Sequence, residues 1–156
     1  MSSRRTSSSS TSVTDFPAPS TPVIEVAAGL VFREGRLLIS RRPEGAHLAG
    51  MWEFPGGKLE PGESHQDCLA RELLEELGIE VSVGELIEEI VHVYPEKTVR
   101  LRFFRCGLAA NEPRPIGCAA VEWIGAEELD SYVFPPADAR LLERLRADRS
   151  LWNPLQ

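Results

Sequence analysis

Glu72, Glu75 and Glu76 stand at positions i, i+3 and i+4 in the run Arg-Glu-Leu-Leu-Glu-Glu. On a helix of about 3.6 residues per turn this spacing puts three carboxylates on one face. Leu69, Leu73 and Leu77, each four apart, form an apolar stripe beside them, able to anchor the helix to a core. Its ends are legible. Ser64, with Asp67 three residues on, reads as an N-cap. Gly78 reads as the left-handed residue that stops the helix. Like charges one turn apart repel, so nothing local favours this face. Two readings answer it: an ordinary solvated acidic face, or a hard divalent cation held by the oxygens, whose charge outweighs their repulsion.

Size and composition narrow the setting. The chain has 156 residues, 42% hydrophobic and 26% charged, with net charge −7. That suits one soluble globular domain with a real core. The negative balance argues against long-range attraction to DNA, RNA or an anionic membrane. The odd set Cys68, Cys106 and Cys118 has no metal-ligand spacing and reads as free thiols in a reducing cytoplasm. No apolar run is long enough to span a bilayer, and no hydrophobic segment follows Arg4-Arg5 to make a secretory signal.

Three regions follow. Residues 1–22 are rich in Ser, Thr and Pro and are expected to be a disordered tail. Residues 23–147 form the domain. Residues 148–156 are expected to be a loose C-terminal tail. Within the domain, 23–32 and 36–41 read as strands joined by an Arg33-Glu34-Gly35 turn. Residues 52–54 read as a short strand entering a Pro55-Gly56-Gly57 turn. After the acidic helix, 80–92 and 99–106 read as strands joined at Tyr94–Lys97, and 121–124 as a further strand. A helical turn is expected at 126–129 and a second amphipathic helix over 137–147, with Leu141, Leu142 and Leu145 inward. Strands mixed with two helices argue for a layered α/β domain.

Read from Gly57, the chain has Gly, five residues, Glu63, seven residues, then Arg71-Glu72-Leu73, one residue, Glu75-Glu76, one residue, Gly78-Ile79. This resembles the Nudix box at every defined position. Residues 26–32, Arg41-Arg42, 52–57 and 134–138 resemble the MutT branch of that family. The resemblance implies an α/β/α sandwich around a mixed β-sheet, with the box forming loop–helix–loop. It implies an enzyme that hydrolyses nucleoside triphosphates to monophosphate and pyrophosphate, using Mg²⁺, for which Mn²⁺ can substitute. It points first to 8-oxo-dGTP, and so to cleansing of the nucleotide pool that feeds DNA replication and repair. CTP or 5-methyl-dCTP is the alternative substrate, ADP-ribose a weaker one, and a non-catalytic nucleotide sensor a further alternative. The implied partner is the triphosphate alone, not a nucleic acid or a membrane, with a monomeric or homodimeric protein.

The same resemblance assigns residues. Glu72, Glu75 and Glu76 hold the metal with the Gly56 carbonyl. Glu122 supplies a further carboxylate from outside the box, as ligand or base; by itself it is an exposed strand residue. Arg71 fixes a box carboxylate and Glu63 orients the loop. Arg42 reaches the nucleotide, His47 lies beside the site, and Phe54 contacts the base; alone, Phe54 is a core aromatic. Tyr94 and Lys97 lie in the loop that closes over the nucleotide. Lysine there keeps the charge of the family's arginine without its planar two-pronged grip. Asp138 stands where the branch has an asparagine that reads the base; its alternative is a helix cap. An ionised aspartate offers only acceptors, whereas a protonated one recovers the asparagine pattern.

Overall fold

The computed structural model describes residues 22–153. The expectation for the N-terminal tail falls, up to position 21, outside the described residues.

β1 (Val23–Arg33) and β2 (Arg36–Arg41) meet through Glu34 and Gly35, at φ 55° and 78°. Two successive positive φ values suit the right-handed twist of a hairpin. β3 (Trp52–Glu53) and β4 (Gly56–Lys58) are very short and precede α1 (His65–Leu77). β5 (Glu80–Val93) and β6 (Thr98–Ala110) form a long hairpin; then come β7 (Ala120–Ile124) and α2 (Ala139–Ala147).

The sheet is mixed. β1 runs parallel to β6 from Val23↔Thr98 to Phe32↔Gly107 and antiparallel to β4 and β2 on its other side. β2 carries β3 and β7, and β5 is the outer strand beside β6. Alternation along β1 splits the core in two. Ala27 and Val31 pack with Leu69, Leu73 and Leu77 of α1. Ala28 and Leu30 pack with Leu141 and Leu145 of α2. The result is the expected α/β/α sandwich, with α1 on one face and α2 on the other.

Helix α1 starts and stops as its sequence predicts. Ser64 Oγ accepts from the Asp67 amide at 3.0 Å, and Gly78 takes φ 72°. Some details differ. Residues 56–58 are not merely a turn: they pair with β1, leaving Phe54 outside the strand. The second helix begins as a 3-10 turn over Pro136–Asp138 and becomes α-helical at Ala139. Leu142 packs only partly buried against the core.

The C-terminal tail is also not loose as far as residue 153. Arg149–Trp152 form a 3-10 turn that buries Leu151 and Trp152 against the α2 face. The Trp152 indole donates to the Leu145 carbonyl at 2.9 Å and meets Phe32 edge-on at 5.6 Å. An apolar pair so close to the end of α2 had a free core surface to cover.

The outer strand is fastened from the side. Arg140 and Arg144 of α2 donate to the backbone carbonyls of Glu89 and Ile87 in β5. Both also pair with Glu88 at 3.3 Å.

Candidate active site

The site is built where β4 presses against β1 and α1. A Cβ on Gly56 would lie 2.0 Å from the Ala27 carbonyl oxygen, and one on Gly57 would lie 2.4 Å from Cδ of Glu72. Only glycine lets the two strands approach and the Glu72 carboxylate rest on the second residue. The Gly29 amide donates to Pro55 O at 2.7 Å and the Leu59 amide to Glu25 O at 3.0 Å. Antiparallel alternation then turns the Gly56 carbonyl away from β1, to the same side as the Lys58 carbonyl. The latter accepts from Arg71 Nη2 at 3.3 Å.

Arg71 ties the loop to the helix. Its Nε and Nη2 donate to the two oxygens of Glu63 at 2.7 and 2.9 Å, and its Nη1 donates to Glu72 at 2.9 Å and Glu75 at 3.3 Å. These bonds, with a further one from the Glu60 amide, hold the Glu63 carboxyl down at about 2. The pairing raises the Arg71 guanidinium in turn.

Glu76 behaves differently. Burial, then the nearby charges of Glu72 and Glu53, push its carboxyl up to about 8. Glu53 is the carboxylate sequence reasoning missed. Arg42 Nη1 donates to it at 2.7 Å while Arg42 Nε donates to the His47 carbonyl at 2.5 Å. Burial raises the Glu53 carboxyl, partly offset by Arg42. The signal for it was a charged residue placed between two aromatics just before Pro55-Gly56-Gly57.

Glu122 is not brought to this cluster. It pairs across the sheet with Ile39, which packs on the α2 side, whereas its neighbours Val121 and Trp123 pack on the α1 side. Residues opposite each other in an antiparallel pair share a face, so Glu122 projects from the face opposite the box glutamates. Period-two alternation on β7 thus sets Glu122 apart from the cluster in which a ligand or base is expected. Glu75 is 60% exposed and turned to Arg71.

A cavity of about 570 Å³ is bordered by Glu53, Glu72 and Glu76. It is lined by Gly56, Gly57, Lys58, Glu72 and Glu76 of the box region, by Phe54, Phe103 and Asp138, and by Arg42, His47, Tyr94 and Lys97. Phe54 is both core and wall. It stacks on Phe134 at 5.1 Å between centroids and borders the cavity. Tyr94 stands edge-on to His92 at 4.5 Å, with Lys97 Nζ 5.7 Å from its ring centre. Asp138 is 6% exposed. Its side chain caps no amide of α2. Burial, then Glu53, push its carboxyl up to about 7.

The donors suit a hard divalent cation. Two partly buried carboxylates, Glu72 and Glu76, repel each other beside an outward-turned carbonyl, and oxygen is the ligand Mg²⁺ prefers. Among the described residues no three His, Cys, Asp or Glu side chains converge as a closed metal cage. An open arrangement of one or two carboxylates completed by substrate phosphate is the usual Mg²⁺ form.

A mixed-sheet sandwich whose loop–helix–loop brings glutamates to a cavity large enough for a nucleotide suits a phosphohydrolase. Residues 27–144 match the NUDIX domain family, and the chain belongs to that family. It is a MutT-like Nudix hydrolase. A CTP pyrophosphohydrolase of Escherichia coli K12 is 39% identical over 133 residues, 82% of this chain and 95% of that protein. An 8-oxo-dGTP diphosphatase of Haemophilus influenzae is 39% identical over 126 residues, 79% of this chain and 91% of that protein. The solution structure of the E. coli ORF135 protein superposes with TM-score 0.73 at 36% identity, covering 85% of this chain and 94% of that one. The crystal structure of a MutT protein from Methanosarcina mazei superposes with TM-score 0.74 at 28% identity, covering 83% and 97%. Among the described residues no helix is long and apolar enough to cross a membrane.

Proposed function

We propose that this chain is a Mg²⁺-dependent nucleoside triphosphate pyrophosphohydrolase, releasing nucleoside monophosphate and pyrophosphate, with 8-oxo-dGTP as its substrate. The observation that carries the choice of base is Asp138, buried in the lining of the cavity with its carboxyl pushed up to about 7. Protonated, it presents one O–H donor and one carbonyl acceptor, the pattern an asparagine would offer to a purine edge. Phe54, stiffened by Phe134 behind it, is the ring wall for the base.

Glu72, Glu76 and the Gly56 carbonyl would hold Mg²⁺, with Glu75 joining after release from Arg71. When bound, the ion screens the polyphosphate charge from an attacking water and fixes the phosphate. Arg71 keeps Glu72 oriented, and Glu63 keeps Arg71. Lys58, Lys97 and Arg42 set positive charge along the cavity. A carboxylate of the cluster takes the proton from the water that attacks the β-phosphorus. The buried thiols Cys68 and Cys106 suit a reducing cytoplasm, where the free nucleotide pool lies.

A second reading has its own support. Ionised, Asp138 offers only acceptors and would take the amino group of cytosine. The E. coli CTP pyrophosphohydrolase is as similar in identity as the H. influenzae diphosphatase. Pyrophosphate release measured with and without Mg²⁺ across 8-oxo-dGTP, dGTP, CTP and 5-methyl-dCTP, with AMP release from ADP-ribose measured beside it, tests both. A kcat/KM for 8-oxo-dGTP at least tenfold above the others supports the first reading. A cytidine nucleotide leading the ranking replaces it with the second, and no pyrophosphate from any triphosphate sinks both.

A further inference from the structure

Ser40 lies on β2 with no exposed surface. Its hydroxyl has no hydrogen-bond partner among the described residues. A buried hydroxyl without a partner is costly, and an alanine at the same position would avoid that cost. The surroundings show what the hydroxyl can serve. Ser40 stands opposite Glu53 on β3 and opposite Val121 on β7. Residues paired in this way share a face, with Cβ atoms roughly 5 Å apart. Val121 packs on the α1 side, so Ser40 and Glu53 both lie on the α1 face of the sheet.

Arg42 has two claims on it. It pairs with Glu53 at 2.7 Å, and it lines the cavity that would hold the nucleotide. A guanidinium drawn to the nucleotide leaves Glu53 without its cation, near the carboxyl of Glu76. A neutral donor across the strand can hold that carboxylate without adding charge.

We propose that Ser40 is a positioning residue for Glu53: its hydroxyl donates to the Glu53 carboxylate when Arg42 turns from Glu53 to the nucleotide. The idea rests on Arg42 being a nucleotide contact, as proposed above. Ser40 thus acts in the nucleotide-bound state and is idle without nucleotide.

The test is a double-mutant cycle read by calorimetric binding of a non-hydrolysable triphosphate analogue of the preferred base, in Ca²⁺, with melting temperature measured beside it. Ser40→Ala should keep or raise the melting temperature and weaken analogue binding roughly tenfold, the order expected for a hydrogen bond to a charged group. Ser40→Thr, which keeps the hydroxyl, should restore most of the affinity. In an Arg42→Ala background, Ser40→Ala should change the affinity less than twofold. Wild-type affinity in Ser40→Ala, with Arg42→Ala weakened, overturns the proposal alone and leaves a merely structural serine. Equal losses from Ser40→Ala in both backgrounds also overturn it. Unchanged affinity in Arg42→Ala alone overturns the Arg42 reading, and this proposal with it.

Discussion

Arg71 grips Glu63 through two separate nitrogens, at 2.7 and 2.9 Å, while a third holds Glu72. A lysine offers one compact charge in place of this fork. Arg71→Lys should therefore keep the fold but lower kcat at least tenfold, because Glu72 loses its orientation. The Glu63 pairing contributes stability present above the ordinary carboxyl value of 4.5 and lost as pH falls through about 2. The variant's acid unfolding should begin at higher pH. Steady-state kinetics with circular-dichroism melts check both, and wild-type kcat would refute the role.

The two glycines of β4 should fail in different ways. Gly56→Ala places a methyl 2.0 Å from a backbone oxygen, which cannot move without breaking the β1 pairing. A loss above ~3 kcal/mol is expected. Gly57→Ala meets first the side chain of Glu72, which can swing aside. Its melting temperature should hold within a few degrees while kcat/KM falls on the order of a hundredfold. A stable, active Gly56→Ala would contradict the packing.

Asp138 should make stability pH-dependent. Its folded value, about 7, lies above the ordinary 3.8, so the folded chain binds more protons in that window. Stability is then fully present below about 4 and lost as pH rises through about 7. The loss is on the order of a few kcal/mol, taking roughly 1.4 kcal/mol per pH unit. Asp138→Asn should match the parent at pH 4 and exceed it at pH 8 by urea unfolding without metal. Parallel pH curves for the two proteins would rule this out.

Glu53 and Glu122 are a matched pair for mutation. Glu53→Gln removes one of the charges that raise Glu76, so the pH midpoint for Mn²⁺ binding should move down. Glu122→Gln, on the opposite face, should leave Mn²⁺ affinity within twofold. Electron paramagnetic resonance titration of Mn²⁺ reads both, and a large loss in Glu122→Gln would restore it to the site.

Much of this was legible before any coordinates. Helix α1, its caps and its carboxylate face follow from local spacing and end residues, which act over a few positions. Arg71 and Glu63 were legible through the resemblance to the Nudix box, whose loop and helix are contiguous. Glu53 and Glu122 were not, because their roles depend on strand register. One residue of register moves a side chain to the other face, and no local signal fixed the alignment of β3 and β7 on β2. Ser40 was silent for the same reason. Trp152 was missed because its partners, Phe32 and Leu145, lie on elements whose meeting is purely tertiary. Trp152→Ala should cost about 3–5 kcal/mol, read from the urea midpoint, and a shift under ~1 kcal/mol would return residues 149–152 to the status of a loose tail.

Arg140 and Arg144 reach over the outer strand to the carbonyls of Glu89 and Ile87. A bare strand at the rim of a sheet is a template on which another chain can grow. Here an intruding strand would have to displace two guanidinium groups already satisfied on backbone oxygen and on Glu88. The same arginines that fasten α2 to the sheet therefore act as a guard against fibrillar addition at that rim. Removing both exposes a stretch rich in isoleucine and valine, so the double alanine variant is the form of this protein in which aggregation should start.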